Sequence, residues 1–533
     1  MSINILDMDS NFKRVLILYL TAGILCIFLL KYFQYPINSD GISYISIAQI
    51  YAHGSLIEAI NGYWGPLISW IMFPFLFLDL SPLNTLFIGE IISLIIGFFT
   101  LIGIRQLSYK FEMKEEIRTI ILFSMVPIIL YFWLRAISPD LLIICFLIFY
   151  LNIIFSSNYY SNIYNGLFCG ILGSLAYLSK SYAFPFFLVH FILFNLLHYW
   201  RFISKKEKRK VLKNLLLGLT IFFIISGLWI GIISNKYSEI TIGTSGEYNQ
   251  DLVGPGSKGH PVFFQGLIKP SSNSAISAWE DPSYIKTNSW SPLNSWNNFN
   301  YQIDLIRKNI QDTLDIFVSF SYLSLIIILT YFLLFIRSSK NKILKGHILY
   351  PLLTIGLYSA GYFLIWVEDR YLWIIYILLF LMGGVLLSKL FEYDFFNKEV
   401  RYTVIVFFVW SFLVTPAFSL THTVENDIDT EGVYDLSQTL KMQYGIQGNI
   451  ASNDEWQKSL YISFYLNSKY YGQVKSNITN SELKSELESN NIDYYFVWGD
   501  DNSNLDLLSN YKEITKGNIK GLTVYSLKKN KNL

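Results

Sequence analysis

Asp40, Arg135, Asp140, Lys180, Glu368, Asp369 and Arg370 share one setting: each stands beside the end of a long apolar run. A charge held at membrane depth costs several kcal/mol unless it is paired or hydrated, so such groups tend to mark functional sites. Singly, each has a plain explanation. Arg135 or Lys180 could snorkel to an interface, and Ser39 or Asp40 would serve as an ordinary N-cap for the amphipathic stretch Ile45–Ile60. Together they offer more: a carboxylate, Asp40, held just outside the first apolar run, where it could act as a general base.

Those residues need elements to position them, and the composition says which kind. The chain has 533 residues, 53% hydrophobic, 17% aromatic and 15% charged. Soluble domains carry about 25% charged residues, so this is a membrane protein. The formal net charge of +2 implies no particular partner, and no nucleic acid is expected. Cys26, Cys145 and Cys169 all lie in apolar runs and form neither a disulfide framework nor a zinc site. Lys13 and Arg14 precede a stretch that is long enough to span and lacks a small-residue cleavage site, which reads as an uncleaved first helix.

A helix needs about 20 apolar residues to cross the hydrocarbon. Candidate spans are 15–33, 83–104, 119–134, 139–156, 164–180, 183–200, 212–233, 315–336, 347–366, 371–388 and 402–419. The run Pro66–Leu78 is too short and suits a helix lying at the membrane surface. Loop charges support leaving it out. Basic residues then gather on one side, at Lys13 and Arg14, Arg105–Arg118, Arg201–Lys213, Arg337–Lys345 and Lys389–Arg401. The short loops opposite hold only Lys31, Arg135, Lys180 and Arg370. By the positive-inside rule the expectation is a polytopic α-helical protein of a cell membrane with about 11 spans. Its N-terminus is cytoplasmic, and the outer loops 34–82 and 234–314 complete a membrane domain over 1–419. Residues 420–533 form a small extracytoplasmic α/β domain, with strands expected at Asn449–Ser452, Tyr470–Val474, Ile492–Trp498 and Leu522–Leu527.

The outer-face residues occur in an order that resembles a known family. An acid just after the first span (Asp40) is followed by Tyr44, then by Trp64-Gly65-Pro66-Leu67 before a short apolar helix. This pattern is similar to glycosyltransferases of the GT-C fold, in the branch of protein O-mannosyltransferases and lipid A aminoarabinose transferases (glycosyltransferase family 39). Arg135-Ala136-Ile137-Ser138-Pro139-Asp140-Leu141-Leu142 resembles that family's third outer element. Gly170–Lys180 resembles its Gly-rich helix ending in lysine, and Glu368-Asp369-Arg370-Tyr371-Leu372 its late Glu-x-Arg-Tyr element. The likeness runs over residues 10–420, with departures. The usual Asp-Glu of the first loop is here Asp40-Gly41, and the paired prolines are Gly65-Pro66. The loop has no Asp-x-Asp pair, which argues against the metal-dependent arrangement of oligosaccharyltransferases.

The resemblance implies transfer of one sugar from a polyprenyl-phosphate donor to an acceptor hydroxyl on protein, lipid or cell-envelope glycan. No metal or other cofactor is expected. A phosphate leaves as a stable anion, so one base and one or two cations suffice, whereas glycoside hydrolysis needs two carboxylates. Asp40 would be the base, giving inversion, and Lys180 and Arg370 would hold the leaving phosphate. Arg135 would join them, or pair with Asp40 or Asp140 and position it. Tyr44, Trp64, Asp140, Glu368, Asp369 and Tyr371 fill the substrate-binding set, although Glu368 and Asp369 could instead only balance Arg370. Trp279 and its neighbours in the long outer loop suit sugar rings, or interfacial anchoring as the commoner role. His260 reads as structural. Two other classes stay open: a transporter or flippase of lipid-linked glycan, and an oligosaccharide ligase or polymerase.

Overall fold

The computed structural model describes residues 9–29, 35, 37–77, 81–135, 137–201, 204–338, 342–392, 396–426, 429–499 and 505–528. Lys31 and Ala136 lie outside them. The chain opens with α1 (Ser10–Leu29), then α2 (Ser39–Ala52) and α3 (Leu67–Leu76) in the first outer loop. Next come α4 (Pro82–Ser108), α5 (Glu115–Arg135), α6 (Asp140–Ile154), α7 (Tyr164–Ser179), α8 (Ala183–Arg201) and α9 (Lys205–Tyr237). A short α10 (Ser245–Leu252) lies in the long outer loop, followed by α11 (Trp296–Phe320), α12 (Ser324–Arg337), α13 (Lys342–Tyr362), α14 (Trp373–Leu390) and α15 (Lys398–Asn426).

Every expected span contains helix, but the count changes. Among the described residues, 7 helices are long and apolar enough to cross a membrane, or 8 if one bent pair counts as a single span. α6 and α7 have 15 and 16 residues, so each reaches only about 23 Å at 1.5 Å per residue. The expected span 315–336 is not one helix. It straddles the break between α11 and α12, which meet at 104°. Ser321 has extended backbone there, and its hydroxyl accepts the Leu323 N–H (3.1 Å), so the second helix starts afresh. α3, at 10 residues, is too short to span.

Close approach of small residues sets the packing, as expected where lipid offers no hydrophobic drive between helices. A side chain at Gly170 of α7 would overlap the carbonyl of Gly218 in α9. His190 ties three helices together: Tyr150 of α6 lies 2.7 Å from its Nδ1 and Thr354 of α13 2.9 Å from its Nε2. α14 is buried almost throughout, from Trp373 to Ser388, and forms the central post.

Residues 429–528 add a mixed sheet. After α16 (Thr430–Tyr444) come β1 (Asn449–Ser452), α17 (Trp456–Tyr465), β2 (Lys469–Gln473), α18 (Asn480–Ser489), β3 (Tyr494–Trp498), α19 (Leu505–Leu508), β4 (Lys512–Glu513) and β5 (Leu522–Ser526). The order is β2-β1-β3-β5-β4, parallel across the first three and antiparallel beyond. β2 is an edge, and the long outer loop covers it. Ile268 N–H donates to the Tyr471 carbonyl and Tyr470 N–H to the Ile276 carbonyl, each at 2.7 Å. That pairing satisfies an edge that would otherwise be open to other strands.

Candidate active site

Four helix ends meet at one end of the bundle. Asp40 lies in the first turn of α2 and Asp140 is the first residue of α6. Lys180 stands immediately after α7. Acids at helix N-termini and a lysine at a C-terminus complement the helix dipoles. Arg370, in the turn that leads into α14, has the dipole against it and is balanced by carboxylates instead.

Arg370 is the hub. Its Nη1 donates to Asp40 Oδ2 at 2.9 Å and lies 3.9 Å from Asp140 Oδ2, and its Nε donates to Glu368 Oε2 at 2.7 Å. Lys180 Nζ donates to Asp140 Oδ1 at 2.7 Å and sits 3.7 Å above the centre of the Tyr371 ring. Asp140 has a side chain only 4% exposed, and the Ser138 hydroxyl donates to its other oxygen at 2.9 Å. Asp40 keeps 17% of its side chain open. Residues 330 positions apart in sequence therefore share one hydrogen-bonded cluster.

Several expectations change in detail. Arg135 does not pair with Asp40 or Asp140. It is bonded to Asp369, and its Nη1 also donates to the Tyr131 hydroxyl at 2.9 Å. Neither Ser39 nor Asp40 is the N-cap of α2. Asn38 holds that position, and its side chain accepts the Ile137 N–H at 3.2 Å, tying α2 to the start of α6. Tyr44 is buried beneath the cluster, edge-on to Trp64 at 5.2 Å. Gly65 lies against the last turn of α7, where a Cβ would overlap the Ser179 carbonyl.

Trp279 was not singled out for this cluster, yet it belongs to it. Its indole N–H donates to Asp40 Oδ1 at 3.2 Å, so the two oxygens of Asp40 are held from opposite quarters. The Trp279 carbonyl accepts from Trp64 Nε1 (3.2 Å), and its ring lies 4.4 Å from His260 and 5.2 Å from Trp456 of α17. Burial pushes His260 down to about 3, so it is neutral at ordinary pH. Its Nδ1 accepts the Val262 N–H, which places the ring proton on Nε2, facing the Tyr248 hydroxyl. The next residue after Trp279, Glu280, is buried in the outer loop, and desolvation raises it to about 8.

A carboxylate held between two donors, one of them the cation Arg370 and with Lys180 in the same cluster, is an arrangement able to take a proton from one group while an anion is held beside it. The fold around it is shared with solved structures of low sequence identity. No family model matches the sequence, and no match to a curated protein is found. Among solved structures the chain is similar to ArnT from Cupriavidus metallidurans bound to undecaprenyl phosphate, with TM-score 0.57 at 10% identity, covering 96% of this chain and 98% of that one. The apo state of that protein gives 0.56 at 10%, covering 97% and 98%. An archaeal oligosaccharyltransferase, AglB from Archaeoglobus fulgidus, in complex with an inhibitory peptide and a dolichol-phosphate, gives 0.49 at 11%, covering 92% and 69%.

Proposed function

We propose that the chain transfers a single sugar from a polyprenyl-phosphate donor to an acceptor hydroxyl at the extracytoplasmic face of a cell membrane, with Asp40 as base. The observation that carries this reading is the Asp40–Arg370 contact of 2.9 Å, with Lys180 in the same cluster through Asp140. The donor phosphodiester carries one charge and leaves as a monoester with a second. Arg370 and Lys180 supply positive charge where that second charge appears. As the phosphate arrives it competes with Asp40 for Arg370 and frees a lone pair on Oδ2. The acceptor hydroxyl then gives its proton to Asp40, its oxygen bonds to the anomeric carbon, and the bond from that carbon to phosphate oxygen breaks on the far side. One displacement inverts the anomeric centre.

Asp140, buried against Lys180, orients that lysine. Asp369 does the same for Arg135, and Glu368 for Arg370. The scheme calls for no metal ion, because the two cations take the role a divalent ion would fill. The test supplies membranes containing the chain with anomerically defined, labelled polyprenyl-phosphate sugars. The expected result is a labelled acceptor whose new linkage has the opposite anomeric configuration. A labelled product that retains the configuration contradicts a single-base displacement.

A further inference from the structure

Beyond the charged cluster, the long outer loop folds over the far end of α2 and leaves a cavity of about 270 Å3 that opens outward. That is the space of roughly nine waters at about 30 Å3 each, enough for a hexose-sized ring. Ile47 and Ile50 of α2 are among the residues that line it. In a helix, positions 40, 43, 47 and 50 fall on one face, so this part of the lining continues the stripe that carries Asp40. Ile47 is seven residues further on, about 10 Å along the axis.

The walls carry three carboxyl groups, of which that of Glu58 is exposed. Asp281 Oδ2 takes hydrogen bonds from Lys236 Nζ (3.0 Å) and the Tyr237 hydroxyl (2.7 Å). Asp281 Oδ1 is buried and, among the described residues, has no hydrogen-bond partner. A buried carboxylate oxygen without a donor is uncommon in a folded protein, but this one is closed off from the cavity and is not among the acceptors a ligand there could reach. Glu280, fixed by the Ser46 hydroxyl at 2.8 Å, and Glu58 add further carboxyl groups. Lys236 is the cation in the lining, and it is already spent on Asp281 and the Ile60 carbonyl. A phosphate or carboxylate would meet three carboxyl groups in the lining, with Lys236 already paired and Lys469 acting on Glu58 from outside it. Hydroxyl groups would find acceptors, and a sugar ring would find the exposed face of Tyr284.

We infer that this cavity is a subsite for a neutral carbohydrate, the part of the acceptor that lies beside the hydroxyl presented to Asp40. Its assignment to the acceptor rests on the transferase reading; binding of the sugar does not. The test is saturation-transfer NMR on the purified full-length protein. The probes are neutral tetrasaccharides of glucose, mannose, galactose and N-acetylglucosamine, with glucose 6-phosphate as the anionic comparison. Ile57 lines the cavity and is 81% exposed, so Ile57→Cys preserves the fold and offers a handle for a bulky maleimide. Maleimide-treated wild type, whose cysteines are buried or half-buried, is the control. At least one neutral tetrasaccharide is expected to bind, to be displaced by the adduct on the Ile57→Cys variant, and to bind about fivefold more weakly to Tyr284→Ala, which lacks the ring face. Absence of binding by all four, binding undisturbed by the adduct, or preferential binding of the phosphorylated sugar would overturn the subsite. Binding as expected with no sugar transfer would remove the transferase reading and leave the subsite standing.

Discussion

In the proposed transfer, Asp40 must be held firmly enough to face the acceptor yet keep a lone pair free for the proton. The two donors would divide that work, Arg370 giving way to the phosphate while Trp279 stays (3.2 Å to Oδ1). Trp279→Phe keeps an aromatic ring against Trp456 and His260 and removes the indole N–H together with part of the ring. Losing one hydrogen bond worth about 1.4 kcal/mol predicts a roughly tenfold fall in kcat with donor KM unchanged, read from initial rates. An unaltered kcat would mean Trp279 only packs. Glu280 gives a second prediction. Burial raises it from 4.5 to about 8, so between those values the folded chain holds a proton that the unfolded chain releases. Stability from this proton is complete below about pH 4.5 and lost as pH rises through about 8. Melting curves of Glu280→Gln should therefore match wild type near pH 5 and gain on it toward pH 9. A constant difference would contradict the assignment. The charged cluster was legible in the sequence because charges beside apolar helix ends are costly. Trp279 was not, because an outer-loop tryptophan has a commoner role at the interface and nothing local marks its hydrogen bond.

At the scale of elements, the site depends on how closely α7 meets the turn before α3. Gly65 has no room for a Cβ beside the Ser179 carbonyl, one residue before Lys180. Gly65→Ala should push the end of α7 outward, lowering the melting temperature and raising donor KM severalfold more than it lowers kcat. A variant with wild-type donor KM would show that Lys180 is not set by this contact. The helices themselves were readable from apolar runs, as was the shortness of α3. The 104° break between α11 and α12 was not. Residues 315–336 look like one apolar run, and the break is made at Ser321 by backbone and hydroxyl bonds that hydropathy does not register.

At the scale of the whole molecule, strand positions near 450, 470, 495 and 524 follow from β-rich segments between turns, and strands form there. Docking of β2 against the outer loop was invisible, because backbone groups make it and any side chains could accompany it. That docking carries Trp456 to Trp279 and so connects the sheet with Asp40. The uneven basic loops predict that reporters fused after Arg105 and after Lys180 read opposite sides of the membrane; the same side for both would undo the orientation. The most direct measurement of the central idea compares wild type with Asp40→Asn in sugar transfer from polyprenyl phosphate at saturating donor, with donor binding followed in parallel. The account predicts donor binding within about twofold and a transfer rate lower by about 100- to 10,000-fold, the range a general base supplies. Transfer by Asp40→Asn at the wild-type rate would contradict it.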